Sequence, residues 1–144
     1  VPVDIKPTSC PNPLNLGGKG VLPVAILGTE DFDVTRVDLS TLCLTMEGLE
    51  VGVPPLRCAM EDVAAPYMPF LGKEGCMDCI TDGPDGYMDI TLKFDMEAVV
   101  ETLGLDEFED GACIVLTLTG NLAEEFGGTG IIGEDVVRII KKDK

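Results

Sequence analysis

Short apolar segments separated by clusters of Gly, Pro and Asp are the feature that most limits what this chain can form. The segment Met88–Phe94 alternates between apolar and polar residues, as a half-buried β-strand does. Six further short segments are bounded by turn-forming residues: 3–5, 20–27, 42–46, 57–63, 113–119 and 135–141. This pattern predicts an all-β fold, and we expect an Ig-like or fibronectin-like β-sandwich of about seven strands.

One segment has the pattern of a helix. Met96–Leu103 follows Asp95, which is a good N-cap residue, and precedes Gly104, which is a typical C-terminal stop. We therefore expect one short helix that crosses the sandwich. Pro23 lies inside an apolar segment and predicts that this strand is at a sheet edge or has a bulge. The length of 144 residues predicts a single β-sandwich domain over residues 1–144.

The chain is strongly acidic, with a formal net charge of −16 and no His. A field of this sign repels phosphate backbones, so we expect no nucleic-acid partner. No apolar run reaches the roughly 20 residues that span a bilayer, so we expect no membrane insertion. Without His, the chemistry left to an enzyme is a pair of carboxylates, for which Asp4 and Asp89 are the candidates. We expect the protein not to be an enzyme.

An acidic segment resembles the second half of a calcium-binding loop. Asp85-Gly86-Tyr87-Met88-Asp89 matches the end of a D-x-D-x-D-G-x-x-D pattern, in which carboxylates and one carbonyl converge on the ion. The sequence predicts bound Ca²⁺, with ligands from Asp82, Asp85, Tyr87 and Asp89 and a further contribution from Asp78. The alternative is a solvated acidic turn at the start of a strand.

Six cysteines, at positions 10, 43, 58, 76, 79 and 113, predict up to three disulfides in an oxidising compartment. We expect Cys76 and Cys79 to form a local disulfide, although each can instead pair elsewhere. Zinc binding and redox activity are weaker interpretations of this C-x-x-C pair. Cys43 and Cys58 flank a predicted hairpin and can pair across it, which leaves Cys10 and Cys113 to each other.

Several motifs together resemble a largely uncharacterised extracellular module of secreted bacterial and archaeal proteins. They are Val3-Asp4-Ile5-Lys6-Pro7, Asn12-Pro13-x-Asn15-Leu16, Lys19-Gly20-Val21-Leu22-Pro23-Val24-Ala25-Ile26-Leu27-Gly28, Pro55-Leu56-Arg57, Glu61-Asp62-Val63-Ala64, Gly83-Pro84-Asp85-Gly86-Tyr87, Asp89-Ile90-Thr91-Leu92-Lys93-Phe94 and Leu116-Thr117-Leu118-Thr119-Gly120. The resemblance covers nearly the whole chain and implies a secreted, non-catalytic β domain. It supplies no activity.

These patterns predict an extracellular, calcium-binding, disulfide-stabilised structural protein. The chain starts at Val1 without a Met, which we interpret as a secreted protein whose signal peptide has been removed. The segment Val1–Ile5 is separated from the rest by a loop, so it can pair with a neighbouring copy and build a filament or surface layer. The alternative for this segment is an ordinary first strand. The alternative function is a calcium-dependent adhesion or carbohydrate-binding module with an extracellular surface ligand.

Overall fold

The computed structural model describes residues 1–141 and contains eight strands in two four-stranded sheets. Sheet 1 has the order β1-β3-β6-β5, and sheet 2 has the order β2-β8-β7-β4. The strands are β1 (Val3–Ile5), β2 (Pro13–Asn15), β3 (Val21–Ile26), β4 (Val37–Thr45), β5 (Arg57–Met60), β6 (Ile90–Asp95), β7 (Cys113–Leu122) and β8 (Gly130–Ile140). The chain is thus mostly β, as expected. The last three residues of the predicted domain, 142–144, lie outside the described residues.

The eighth strand is β2, in a segment that the sequence pattern predicts as loop. It has only three residues and begins with a proline, so it carries no alternation. It forms because it lies parallel to β8, with Leu14 opposite Ile139. The structure therefore has eight strands where about seven are expected.

A hydrophobic core joins the two sheets. Sheet 1 contributes inward-facing side chains such as Ile5, Leu92 and Phe94, and sheet 2 contributes Leu44 and Leu118. All five are at most 2% exposed. This packing is sandwich-like and leaves the outer face of each sheet to solvent or to loops.

The predicted helix is confirmed as α1 (Met96–Leu103). The Asp95 carboxylate accepts a hydrogen bond of 3.1 Å from the backbone N–H of Ala98, which caps the N-terminus. Gly104 has a φ of 66°, the left-handed conformation that ends helices. Met96, Val99 and Leu103 are buried, so α1 extends the core after β6.

The prediction of an edge position or bulge at Pro23 is wrong, because β3 lies between β1 and β6 with a regular register through Pro23. The Pro23 carbonyl accepts from Lys6 N, so the proline nitrogen also faces the β1 side. There β1 has already ended, and the Lys6 carbonyl that would oppose the nitrogen accepts from Ser9 N instead. No ladder hydrogen bond is lost.

Within residues 1–141, the structure has no helix that is both long enough and apolar enough to cross a membrane.

Candidate functional site

The connection from β5 to β6, residues 61–89, is called the long loop here and is attached to both sheets. A disulfide joins Cys79 to Cys10, which precedes β2, with a Cα–Cα distance of 5.6 Å. A second disulfide joins Cys76 to Cys113 at the start of β7, with a Cα–Cα distance of 5.2 Å. The Glu134 carboxylate of β8 also accepts hydrogen bonds from the backbone of Gly72 and Lys73 at 2.8 and 2.9 Å. The long loop is therefore fastened to several parts of the fold.

The three predicted cysteine pairings are wrong. Cys76 and Cys79 do not pair with each other, because each bonds a different part of the chain. Cys43 lies on β4 in sheet 2 and Cys58 on β5 in sheet 1, so these strands form no hairpin and both thiols are free. The Cys10–Cys113 pairing is also wrong, since each of these cysteines bonds a cysteine of the long loop. Four of the six candidate cysteines thus form disulfides, which are typical of oxidising environments.

The predicted calcium ligands occupy three different settings. Asp82 and Asp85 are exposed, and Asp85 Oδ1 accepts from the backbone N–H of Tyr87 at 3.1 Å. Asp78 closes a turn by accepting from the N–H groups of Glu74 and Gly75, both at 2.9 Å. These backbone hydrogen bonds hold the pKa of Asp78 below its usual value.

Asp89, unlike Asp82 and Asp85, is completely buried. Its carboxylate accepts backbone hydrogen bonds from Gly28 at 2.9 Å, Val63 at 2.8 Å and Ala64 at 3.3 Å. Burial raises the pKa of this carboxyl, while the hydrogen bonds act in the opposite direction. In this conformation Asp89 ties the start of the long loop to the end of β3.

Across residues 1–141, no three His, Cys, Asp or Glu side chains are grouped as a metal-ligand set. The residues of the predicted calcium loop do not fit a preformed site in this conformation. The turn that contains Gly86 is instead held by a carboxylate at the start of the long loop. The Asp62 carboxylate accepts from the N–H groups of Asp85 at 3.1 Å and Gly86 at 2.7 Å. Calcium binding stays a prediction from the sequence pattern.

A buried ion pair lies where the long loop crosses from sheet 1 to sheet 2. Lys73 Nζ is 3.2 Å from Asp135 Oδ1, and the two side chains are 3% and 1% exposed. Lys73 Nζ also donates to the Val3 carbonyl at 3.2 Å and lies 5.6 Å from the centre of the Tyr67 ring. Asp135 Oδ2 accepts from Ile5 N at 2.7 Å and from Asn12 Nδ2 at 3.1 Å. The pair thus connects β1, the long loop and β8.

A second carboxyl group, that of Asp4, lines the same small cavity, which has a volume of about 10 Å³. Asp4 faces away from the core because its neighbours Val3 and Ile5 face inward, and the long loop covers it. Burial raises the pKa of Asp4 to about 7, with a further contribution from the nearby negative charge of Asp135. Burial also raises the pKa of Asp135, against the effect of Lys73.

Sequence reasoning missed most of this polar cluster. It considered Asp4 only as a hydrolase carboxylate, and it gave no role to Asn12, Lys73 or Asp135. A usable signal was the acidic residue between two apolar residues in Val3–Ile5. Lys73 carries no such signal, because it lies in a loop without periodicity.

The outer edge of sheet 1 is formed by β5, whose four residues are all exposed. Glu61 N donates to Asp89 O, so alternation along the ladder leaves the backbone groups of Cys58 and Met60 on the free side. The outer face of sheet 1 also carries an open groove of about 590 Å³. It is bordered by Pro23 and Lys93 of the sheet and by Glu61 and Asp62 of the long loop.

Comparisons with protein-family models, with curated proteins and with solved structures found no match to this chain.

Proposed function

We propose that the chain is a non-enzymatic, secreted extracellular structural module that associates with copies of itself. The observation that carries the proposal is the free edge of β5. Unpaired backbone N–H and C=O groups at a sheet edge are a template for another strand. Leu56 and Met60 are 58% and 42% exposed beside this edge, so a second copy that pairs there also covers apolar surface. The two disulfides support an extracellular location.

We also propose that the fold is an Ig-like sandwich, and the order of the strands supports this. An Ig constant-type sandwich has strands A, B, E and D in one sheet and C, F and G in the other. Sheet 1 follows the first order if β1 is strand A, β3 is B, β6 is E and β5 is D. Sheet 2 then contains G, F and C as β8, β7 and β4, with β2 as a second part of strand A. On this assignment the eight strands correspond to seven, one of them divided between the sheets.

Association through β5 replaces donation of the N-terminal strand in our proposal. In this structure β1 pairs with β3 of its own sheet, and Val3 and Ile5 are 2% and 0% exposed. The N-terminal amino group also donates to the carbonyl of Ile132 at 2.8 Å. Donation of β1 to a neighbour would remove these side chains from the core of their own copy.

The first test is the state of the protein in solution and by negative-stain electron microscopy. We expect oligomers or ordered polymers from the unmodified chain. Met60→Lys is expected to dissociate them, because it places a charge on the pairing edge. Met68→Lys is the matched control, since Met68 is 70% exposed in the long loop, away from this edge.

Two results would contradict the proposal at different levels. A monomer at every accessible concentration would exclude self-association. Assemblies that persist in Met60→Lys would exclude the β5 edge as the contact and show that another surface mediates association.

Calcium binding at residues 82–89 is a separate part of the proposal and rests on the sequence pattern. We expect added Ca²⁺ to raise the melting temperature, and EGTA to reverse the increase, because a ligand that binds the folded state stabilises it. Asp85→Asn is expected to remove the response, and Asp106→Asn, a change at an exposed residue of the turn after α1, is expected to keep it. A melting temperature that does not change with Ca²⁺ would rule out the site.

The alternative function is a calcium-dependent adhesion or carbohydrate-binding module. The groove on sheet 1 favours it, because its volume of about 590 Å³ is within the range of small-molecule sites. Glu61, Asp62 and Lys93 offer hydrogen-bonding groups there, but no aromatic residue is among those lining the groove in the described part of the chain. Binding on a glycan array that a chelator abolishes would favour this alternative over a purely structural module.

A further inference from the structure

The amino group of Lys73 and the carboxyl group of Asp135 are held together without access to bulk water. Their side chains are 3% and 1% exposed, and Nζ lies 3.2 Å from Oδ1. This is the distance of a charge-assisted hydrogen bond, so Nζ is held directly beside the carboxyl group whose carbon it would attack. The Tyr67 ring and the Val3 carbonyl fix the amino group in this position.

The far oxygen of Asp135 is bound by two donors. Ile5 N donates to Oδ2 at 2.7 Å, and Asn12 Nδ2 donates to it at 3.1 Å. Asn12 is itself oriented by a 3.0 Å hydrogen bond to the carbonyl of Val136, while its buried Oδ1 has no partner within residues 1–141. Two fixed donors on one carboxyl oxygen stabilise the negative charge that develops there when a nucleophile attacks the carbon.

We propose that Lys73 and Asp135 become joined by an amide bond between Nζ and Cγ. The reaction requires no oxidant, metal or other co-reactant, because an ammonium and a carboxylate condense to an amide and one water molecule. The product links the long loop covalently to β8 across 62 residues of sequence.

The condensation proceeds through a tetrahedral intermediate. One proton passes from Nζ to Asp135 Oδ1, which leaves a neutral amine and a neutral carboxylic acid. The amine lone pair forms the N–Cγ bond, while the C=O electron pair moves to Oδ2 between its two donors. The C=O bond then re-forms and the Cγ–Oδ1 bond breaks. Oδ1 departs as water after it receives a second proton, and the nitrogen loses one.

Asp4 is the group in this cavity that can transfer the last two protons. Its carboxyl lines the cavity together with Lys73 and Asp135. Because burial raises the pKa of Asp4 to about 7, both its protonated and its ionised forms are available near neutral pH. It gives a proton to Oδ1 and receives one from the nitrogen, so it ends unchanged.

Burial favours the product over the ion pair. Two charges in a site closed to water are costly to keep, and condensation removes both. The cavity of about 10 Å³ is close to the volume that one water molecule requires, so the released water has space beside the reacting groups. The same lack of bulk water opposes hydrolysis of the amide.

The test is the intact mass of the purified protein after complete reduction and denaturation. We expect a mass lower than that of the sequence by one water molecule. A mass equal to that of the sequence would overturn the proposal and leave a buried ion pair.

Tryptic mapping locates the bond. Trypsin cleaves after Arg57, Lys93 and Arg138, and segment 94–138 contains no internal Lys or Arg. We expect segments 58–93 and 94–138 to remain joined, with no cleavage after Lys73. The disulfide Cys76–Cys113 joins the same two segments, so the cysteines must be reduced and alkylated first. Separate segments would overturn the proposal.

Three variants give independent readouts. Lys73→Arg keeps the positive charge and is expected to show the full mass. Lys19→Arg changes an exposed lysine and is expected to keep the deficit of one water. Asp4→Asn is expected to slow or abolish bond formation, and a normal rate in this variant would overturn the proton-transfer role of Asp4. None of these measurements depends on whether the protein assembles with copies of itself.

Discussion

Replacing Asp89 with alanine is expected to lower the free energy of unfolding by about 3–5 kcal/mol, a large part of the stability of a domain of this size. The Asp89 carboxylate is fully buried and accepts three backbone hydrogen bonds. Alanine would leave the N–H groups of Gly28, Val63 and Ala64 without this acceptor. Each buried donor left unpaired costs about 1–3 kcal/mol.

Chemical denaturation with two control variants measures this effect. Asp89→Asn keeps one carbonyl oxygen but replaces the other with a donor, so we expect a smaller but clear loss. Asp106→Ala changes an exposed carboxylate and is expected to stay within about 0.5 kcal/mol of the unmodified protein. A loss at Asp89 as small as that at Asp106 would show that the three hydrogen bonds do not form.

Removing either disulfide is expected to cost about 4 kcal/mol, because each closes a long segment of chain. The bonds Cys10–Cys79 and Cys76–Cys113 span 69 and 37 residues. The double variants Cys10→Ser/Cys79→Ser and Cys76→Ser/Cys113→Ser remove one bond each without leaving an unpaired thiol. Thermal unfolding of both variants, compared with the unmodified protein, gives the two costs.

The free cysteines supply the matched control for this experiment. Cys58→Ser changes an exposed thiol and is expected to leave the thermal stability almost unchanged. Peptide mapping of the non-reduced protein gives the pairing directly. A Cys76–Cys79 or Cys43–Cys58 bond in that map would contradict the arrangement described here.

The cysteine pairing could not be predicted from the sequence. Nearness along the chain favours Cys76–Cys79, and a predicted hairpin favours Cys43–Cys58. Both inferences use local distance, whereas the structure pairs residues that only the packing of two sheets brings together. The number of cysteines is enough to predict disulfides, but six of them allow 15 pairings.

Secondary structure could be predicted more completely where it depends on the local sequence pattern. The helix Met96–Leu103 was predictable with its cap and its stop, because both are made by neighbouring residues. The strand Pro13–Asn15 was not, since its only strand partner in the described structure is the distant β8. Asp89 illustrates the same limit for a site: its place before a strand suits a metal ligand, and only the fold reveals the three backbone donors around it.

The parallel pairing of β2 with β8 has a consequence for how the molecule can be made. Pro13 lies opposite Arg138, so the second strand of the fold pairs with its eighth. Sheet 2 cannot be completed until β8 has been synthesised, and until then Leu14 and the inward face of β7 lack the strand that lies between them. We therefore expect folding intermediates that lack β8 to expose apolar surface of sheet 2.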